Sequence, residues 1–169
     1  MGFLHRLLDR FTQRVPKPAL QARGEEMDGP DTAITGIWGE TLAADMLAQK
    51  GYKILGRRIQ LGRDEIDLVA CPLSEAKPLV IFVEVKTRAS DQFGGGRAAV
   101  DKRKRHALCR AAAHYMRKLP KTPFRFDLVE VIGSRNAHSA PVIRHYENAF
   151  PMELRYVHNG LHRRGGSVE

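Results

Sequence analysis

Leu79-Val80-Ile81-Phe82-Val83-Glu84-Val85-Lys86 decides the fold. Five apolar residues in a row, β-branched or aromatic at four positions, suit a central strand buried on both faces. The run then admits charge on alternate residues. Glu84 and Lys86 are two apart and share one face, while Val83 and Val85 occupy the other. Charges at the end of such a strand need a reason, because burying them unpaired is costly.

Working outward, Tyr52–Leu61 and Glu65–Ala70 read as two strands joined at Gly62-Arg63-Asp64, a hairpin expected beside the central strand. Before them, residues from Thr32 or Ala33 to Gln49 are helical. Ile37, Leu42, Ala43, Met46 and Leu47 form the apolar stripe, Trp38 is a core residue, and Gly51 is the stop. After the central strand comes a glycine-rich loop, Ala89 to Gly96, with no Gly-Lys-Ser or Gly-Lys-Thr of a nucleotide phosphate loop. A long helix from about Ala98 to Leu119 follows, with Leu108, Ala111, Ala112, Tyr115 and Leu119 inward. Arg125–Ile132 is a fourth strand and Val142–Tyr146 a fifth at an edge. The order predicts an α/β sandwich around a mixed sheet of four or five strands flanked by helices.

The expected domain is 33–150. Residues 1–32 form an arm and a Pro- and Gly-rich linker, and 151–169 a loose basic tail. The arm carries a short amphipathic pattern (Phe3, Leu4, Leu7, Leu8, Phe11) that suits packing on the domain or a partner. With 169 residues, one domain needs no metal or disulfide staple. No apolar run approaches the ~20 residues of a membrane span. Cys71 and Cys109 lack zinc or redox spacing, and the histidines lack zinc-ligand spacing, so a reduced cytoplasmic protein is expected.

Twenty-eight Lys and Arg against nineteen Asp and Glu leave +9, which favours a polyanionic partner. The excess concentrates in the long helix. Arg97, Lys102, Arg103, Lys104, Arg105, Arg110, Arg117 and Lys118 face a single acid, Asp101. Like charges so crowded weaken a helix modestly, and a nucleic-acid backbone lying on it would offset that.

The candidate chemistry lies at the strand ends. Asp67 sits near an end of its strand, after Glu65 and Ile66, much as Glu84 does in the central one. If the two are neighbours, their carboxylates repel unless a proton or cation joins them. A hard ion such as Mg2+ would take both as oxygen ligands. Lys86 beside them could orient a water or offset charge on a phosphoryl transition state.

These motifs carry a resemblance. Gly36-x-x-x-Glu40, Glu65-Ile66-Asp67-Leu68-Val69, Phe82-Val83-Glu84-Val85-Lys86-Thr87-Arg88, the long helix and Arg125-Phe126-Asp127 fall in one order over about Ile34 to Val131. The chain thereby resembles the UPF0102 (YraN-like) family of bacterial proteins, often called predicted endonucleases and grouped with the restriction-endonuclease-like fold. The resemblance implies Asp67 and Glu84 as metal-binding catalytic residues, Lys86 as the catalytic lysine, and Glu40 as an acid reaching the metal or its water. It implies Mg2+ or Mn2+ as cofactor. It also places Arg88 and Lys104 at basic motif positions able to hold phosphates; with Arg97, Lys102 and Arg105 they make up the expected nucleic-acid contacts. Three positions depart from the family pattern: Asp64 replaces a glycine, Arg58 an asparagine and Arg105 a glutamine. Asp64 bears most on function, since an added carboxylate at the turn stands against an approaching phosphate.

The activity so implied is metal-dependent hydrolysis of phosphodiester bonds in DNA or other nucleic acid. The alternatives are a nucleic-acid-binding module without catalysis, or an interaction protein that keeps the nuclease-like fold. Two-fold assembly is common enough that a homodimer is open as well.

Overall fold

The computed structural model describes residues 30–74, 78–90, 100–119 and 121–157. The amphipathic arm, nearly all of the linker, the glycine-rich loop with Arg97, and the chain beyond Val157 lie outside the described residues.

The elements run α1 (Pro30–Gln49), β1 (Tyr52–Leu61), β2 (Asp64–Pro72), β3 (Val80–Arg88), α2 (Lys102–Met116), β4 (Phe124–Ile132), β5 (Val142–Phe150) and α3 (Leu154–Val157). The sheet is five-stranded in the order β1-β2-β3-β4-β5, with β3 central. β3 and β4 are parallel; the other neighbours are antiparallel, so the sheet is mixed. One long helix covers each face, giving the restriction-endonuclease-like α/β sandwich.

β3 contributes to both cores because its side chains alternate. Ile81 and Val83 pack with Ala43, Ala44 and Leu47 of α1, and with Val129 and Val131 of β4. Val80 and Phe82 pack with Leu108, Ala111, Ala112 and Tyr115 of α2, and with Phe126 and Leu128. Phe82 and Ile81 are fully buried, each stabilising the fold by about 1.5–3 kcal/mol through area removed from water. β3 and β4 remain in register from Val80↔Phe124 to Arg88↔Ile132.

Several expectations are adjusted. α1 starts at Pro30, a residue suited to a first helical turn. Ile37 is exposed, and the inward stripe is Ala43, Ala44 and Leu47, with Trp38, Leu42 and Met46 partly buried beside it. α2 is shorter than expected among the described residues. Asp101 caps it, its Oδ1 accepting from the Lys104 backbone N–H at 2.8 Å. β5 extends to Phe150, whose ring stacks on Phe126 at 4.8 Å between centroids. The chain does not turn loose at Pro151: Met152 and Tyr156 pack on the α2-side core, and Glu153 meets His106 at 2.6 Å.

α1 approaches β3 most closely at Gly39. A Cβ there would collide with Thr87 Oγ1 and lie 3.1 Å from its Cβ. This contact, absent from the sequence reading of the helix, sets Glu40 beside the end of β3. Gly36, by contrast, faces open space.

Candidate active site

The site forms where β2 and β3 stop pairing. Their registered pairs are Ala70↔Ile81, Val69↔Phe82 and Leu68↔Val83. At the next step Asp67 uses its side chain instead: Oδ2 accepts from the Val85 backbone N–H at 2.7 Å. That bond holds the carboxylate against β3, beside Glu84. The convergence expected of Asp67 and Glu84 is therefore present.

Glu84 is the most enclosed member, with its side chain 1% exposed. Two ammonium groups reach it from the solvent side: Lys86 Nζ lies 3.0 Å from Oε1, and Lys104 Nζ 3.0 Å from Oε2. Lys86 shares the Glu84 face, as strand parity requires. Lys104 arrives from α2, on the helix turn that Asp101 caps. Sequence reasoning assigned Lys104 to phosphate contact and did not bring it to the acidic pair. Glu84 Oε2 is buried, and Lys104 is the cation that meets it there.

The charges act on one another strongly. Burial, then the Glu84 carboxylate, pushes the Asp67 carboxyl up to about 8, against the opposing pull of Lys104 and the Val85 N–H. Burial works against the Lys104 ammonium, but Asp67 and Glu84 outweigh it and leave Lys104 raised. Burial and the Glu84 charge thus favour a shared proton or cation at Asp67.

Glu40 lies at the rim. Burial raises its carboxyl, Arg58 opposing, and its ion pair is with Arg58 at 3.8 Å. Among the described residues no three His, Cys, Asp or Glu side chains form a ready metal cage, so the expected acidic triad is a close pair with an outlying third member. The pair still fits Mg2+ or Mn2+. Such ions commonly take one or two carboxylates and keep several waters, and the neighbouring Asp67 and Glu84 carboxylates are oxygen donors of the right hardness.

The three departures from the family pattern each make specific contacts. Arg58 has φ of 48°, in the left-handed region that asparagine adopts more readily than arginine. Its guanidinium bridges Glu40 and Glu65, at 3.8 and 3.6 Å. Asp64 does not stand free against a phosphate. Both its oxygens take Arg110, at 2.6 Å each. Arg105, the third, donates from Nε to Val100 O at 2.9 Å and lies over the Phe150 ring. Lys102 is exposed on α2 and Arg88 is half-buried at the end of β3.

Arg125-Phe126-Asp127 was noted as a motif without a role. It builds a second polar cluster, remote in sequence from the acidic pair. Buried Asp127 accepts from Arg125 Nε at 2.9 Å, from the Asn148 backbone N–H at 2.9 Å, and contacts His145 Nε2 at 2.9 Å. Tyr52 bonds Glu147, and Arg125 bonds Tyr52, each at 3.1 Å. The cluster joins β1, β4 and β5 and is structural.

A five-stranded mixed sheet between two helices, with Asp67, Glu84 and Lys86 at the end of its central strands, defines a nuclease-like α/β protein. Comparison with known proteins agrees. The uncharacterised protein family UPF0102 matches residues 39–131. A UPF0102 protein of Porphyromonas gingivalis is 40% identical over 130 residues, covering 76% of this chain and 93% of the relative. One from Syntrophomonas wolfei is 40% identical over 117 residues, covering 68% and 96%, and one from Moorella thermoacetica is 42% identical over 109 residues, covering 63% and 88%. The chain belongs to the UPF0102 family. No described helix is long and apolar enough to cross a membrane.

Proposed function

We propose that this protein is a Mg2+- or Mn2+-dependent nuclease that hydrolyses phosphodiester bonds of DNA or other nucleic acid. The observation that carries this reading is the buried Glu84 carboxylate, held beside Asp67 with a lysine ammonium on each of its oxygens. Asp67 and Glu84 would hold the ion, and Glu40 would reach it through water. When bound, the ion supplies Lewis-acid polarisation of the phosphoryl group and lowers the pKa of water. Lys86, a third exposed, is placed to orient the attacking water and offset charge developing on the phosphoryl oxygens. Lys104 fixes Glu84 and faces the same approach, where a phosphate oxygen can compete for its ammonium. Exposed Lys102, with Arg88 and Arg97, would contact the strand's backbone, positioning it without reading sequence.

The two buried free thiols fit a reducing cytoplasm. A homodimer is the proposed assembly, checked by sedimentation at micromolar concentration.

The test incubates wild type, Glu84→Gln and Lys86→Ala with single-stranded, duplex, branched and flapped DNA and with RNA, in Mg2+ and in Mn2+. Wild type should cleave at least one substrate. Glu84→Gln should be inactive, and Lys86→Ala slower by about 10²–10³-fold. Salt-sensitive binding without cleavage of any substrate would replace this proposal with the non-catalytic nucleic-acid-binding alternative.

A further inference from the structure

Beyond the acidic pair, a groove of about 450 Å³ opens between the β1–β2 turn, the second half of α2, and α3. This volume suits a small ligand. Arg63 from the turn and Arg117 from the end of α2 stand on its walls, both exposed. Neither is paired with a carboxylate among the described residues. Arg110 also lines the groove, but its charge is matched by the bidentate bond to Asp64. Tyr156 contributes an aromatic wall, and apolar atoms make up the greater part of the lining. His114 lines the groove too. Burial, then the positive charges of Arg117 and Lys118, holds its imidazole below the ordinary value.

An aromatic and apolar wall between two unmatched guanidiniums is the chemistry of a nucleotide, with its base on the wall and its phosphate between the cations. The groove also follows the acidic pair along one helix. Lys104 contacts Glu84, and Arg110, six residues later, contacts Asp64. Six residues are about 9 Å along a helix axis, a distance that neighbouring nucleotides of one strand can span. We propose that this groove is a second nucleic-acid contact, which seats one nucleotide of the bound strand near the scissile phosphate. Arg63 and Arg117 hold its phosphate, and its base lies against Tyr156. Asp64 then has a purpose where a glycine would leave none: it locks Arg110 and the turn to α2, giving the groove a fixed floor. The inference rests on the proposed function for its ligand class, and its test separates the two.

The test has two arms. In the first, fluorescence anisotropy follows a single-stranded DNA oligonucleotide binding to Glu84→Gln protein, which should not cleave, across a salt series. Arg63→Ala with Arg117→Ala, both exposed positions, should weaken binding at least tenfold. It should also flatten the slope of log affinity against log salt by about 1, the change expected for one lost phosphate contact. In the second arm, NMR follows the His114 ring protons while a 5′-phosphorylated dinucleotide is titrated into wild type. The resonances should move, and the imidazole pKa should rise as the anion joins the arginines. Unchanged affinity and slope in the double variant, with an unmoved His114, would overturn the inference while leaving the acidic pair's role intact. A seated dinucleotide without cleavage of any substrate would sustain the groove and overturn the nuclease. Failure of wild type to bind any nucleic acid would overturn both.

Discussion

Asp67→Asn should make the metal-free protein more stable as it destroys the proposed site. The substitution preserves shape, and the asparagine oxygen can still accept from the Val85 N–H. It removes a carboxyl that burial, then Glu84, pushes up from 3.8 to about 8. Between those values the folded state keeps a proton that the unfolded chain has released. Stability therefore falls as pH rises, by about 1.4 kcal/mol per pH unit for this one group. From pH 6 to pH 8 the loss is at most about 2.5 kcal/mol, and relaxation around the buried group brings the expected figure to about 1–2 kcal/mol. For a chain of this size that is roughly 3–6 °C in melting temperature. Melting would be followed by circular dichroism in EDTA at half-unit steps between pH 6 and 8. Wild type should decline relative to Asp67→Asn across that window, with the variant melting higher at pH 8. Saturating Mn2+ should remove the decline in wild type, because the ion takes the place of the proton. Parallel curves for the two proteins in EDTA would refute the reasoning, since Asp67 would then carry no proton to lose.

Gly39→Ala should destabilise by about 1–3 kcal/mol in urea unfolding, because its methyl meets Thr87 where α1 rests on β3; any cleavage should fall too as Glu40 moves away. Arg58→Asn should gain up to about 1 kcal/mol at a left-handed backbone position, read from the same unfolding curves, and should leave Glu40 without its 3.8 Å partner. Asp127→Ala should cost about 3–5 kcal/mol, measured in the same way, since it strips Arg125 and buried His145 of their shared carboxylate.

The sheet was legible because its central strand announces itself. Leu79 to Val83 admits no amphipathic reading, and strand parity alone puts Glu84 and Lys86 on one face. Asp67 was legible as a carboxylate set within an otherwise apolar strand. Lys104 was not. Eight basic residues populate the α2 segment, and only the docking of that helix over β2 and β3 selects which one reaches Glu84, twenty positions away. The same applies to Arg110 on Asp64, and to Tyr52, Arg125 and His145, whose partners lie in elements distant along the chain. Gly39 shows a subtler limit. Both it and Gly36 suit a thin helix face, but only Gly39 lies where a side chain of β3 comes within contact. Ile37 misled because an apolar side chain on a helix need not face the core.

The central claim is that Asp67 and Glu84 together hold a divalent ion for catalysis. Isothermal titration of Mn2+ into wild type and into Asp67→Asn/Glu84→Gln tests it most directly. Wild type should bind with an affinity that strengthens as pH rises from 6 towards 8, because the ion competes with the Asp67 proton. The double variant, folded by circular dichroism, should give no binding heat. Equal Mn2+ binding by both proteins would contradict the claim.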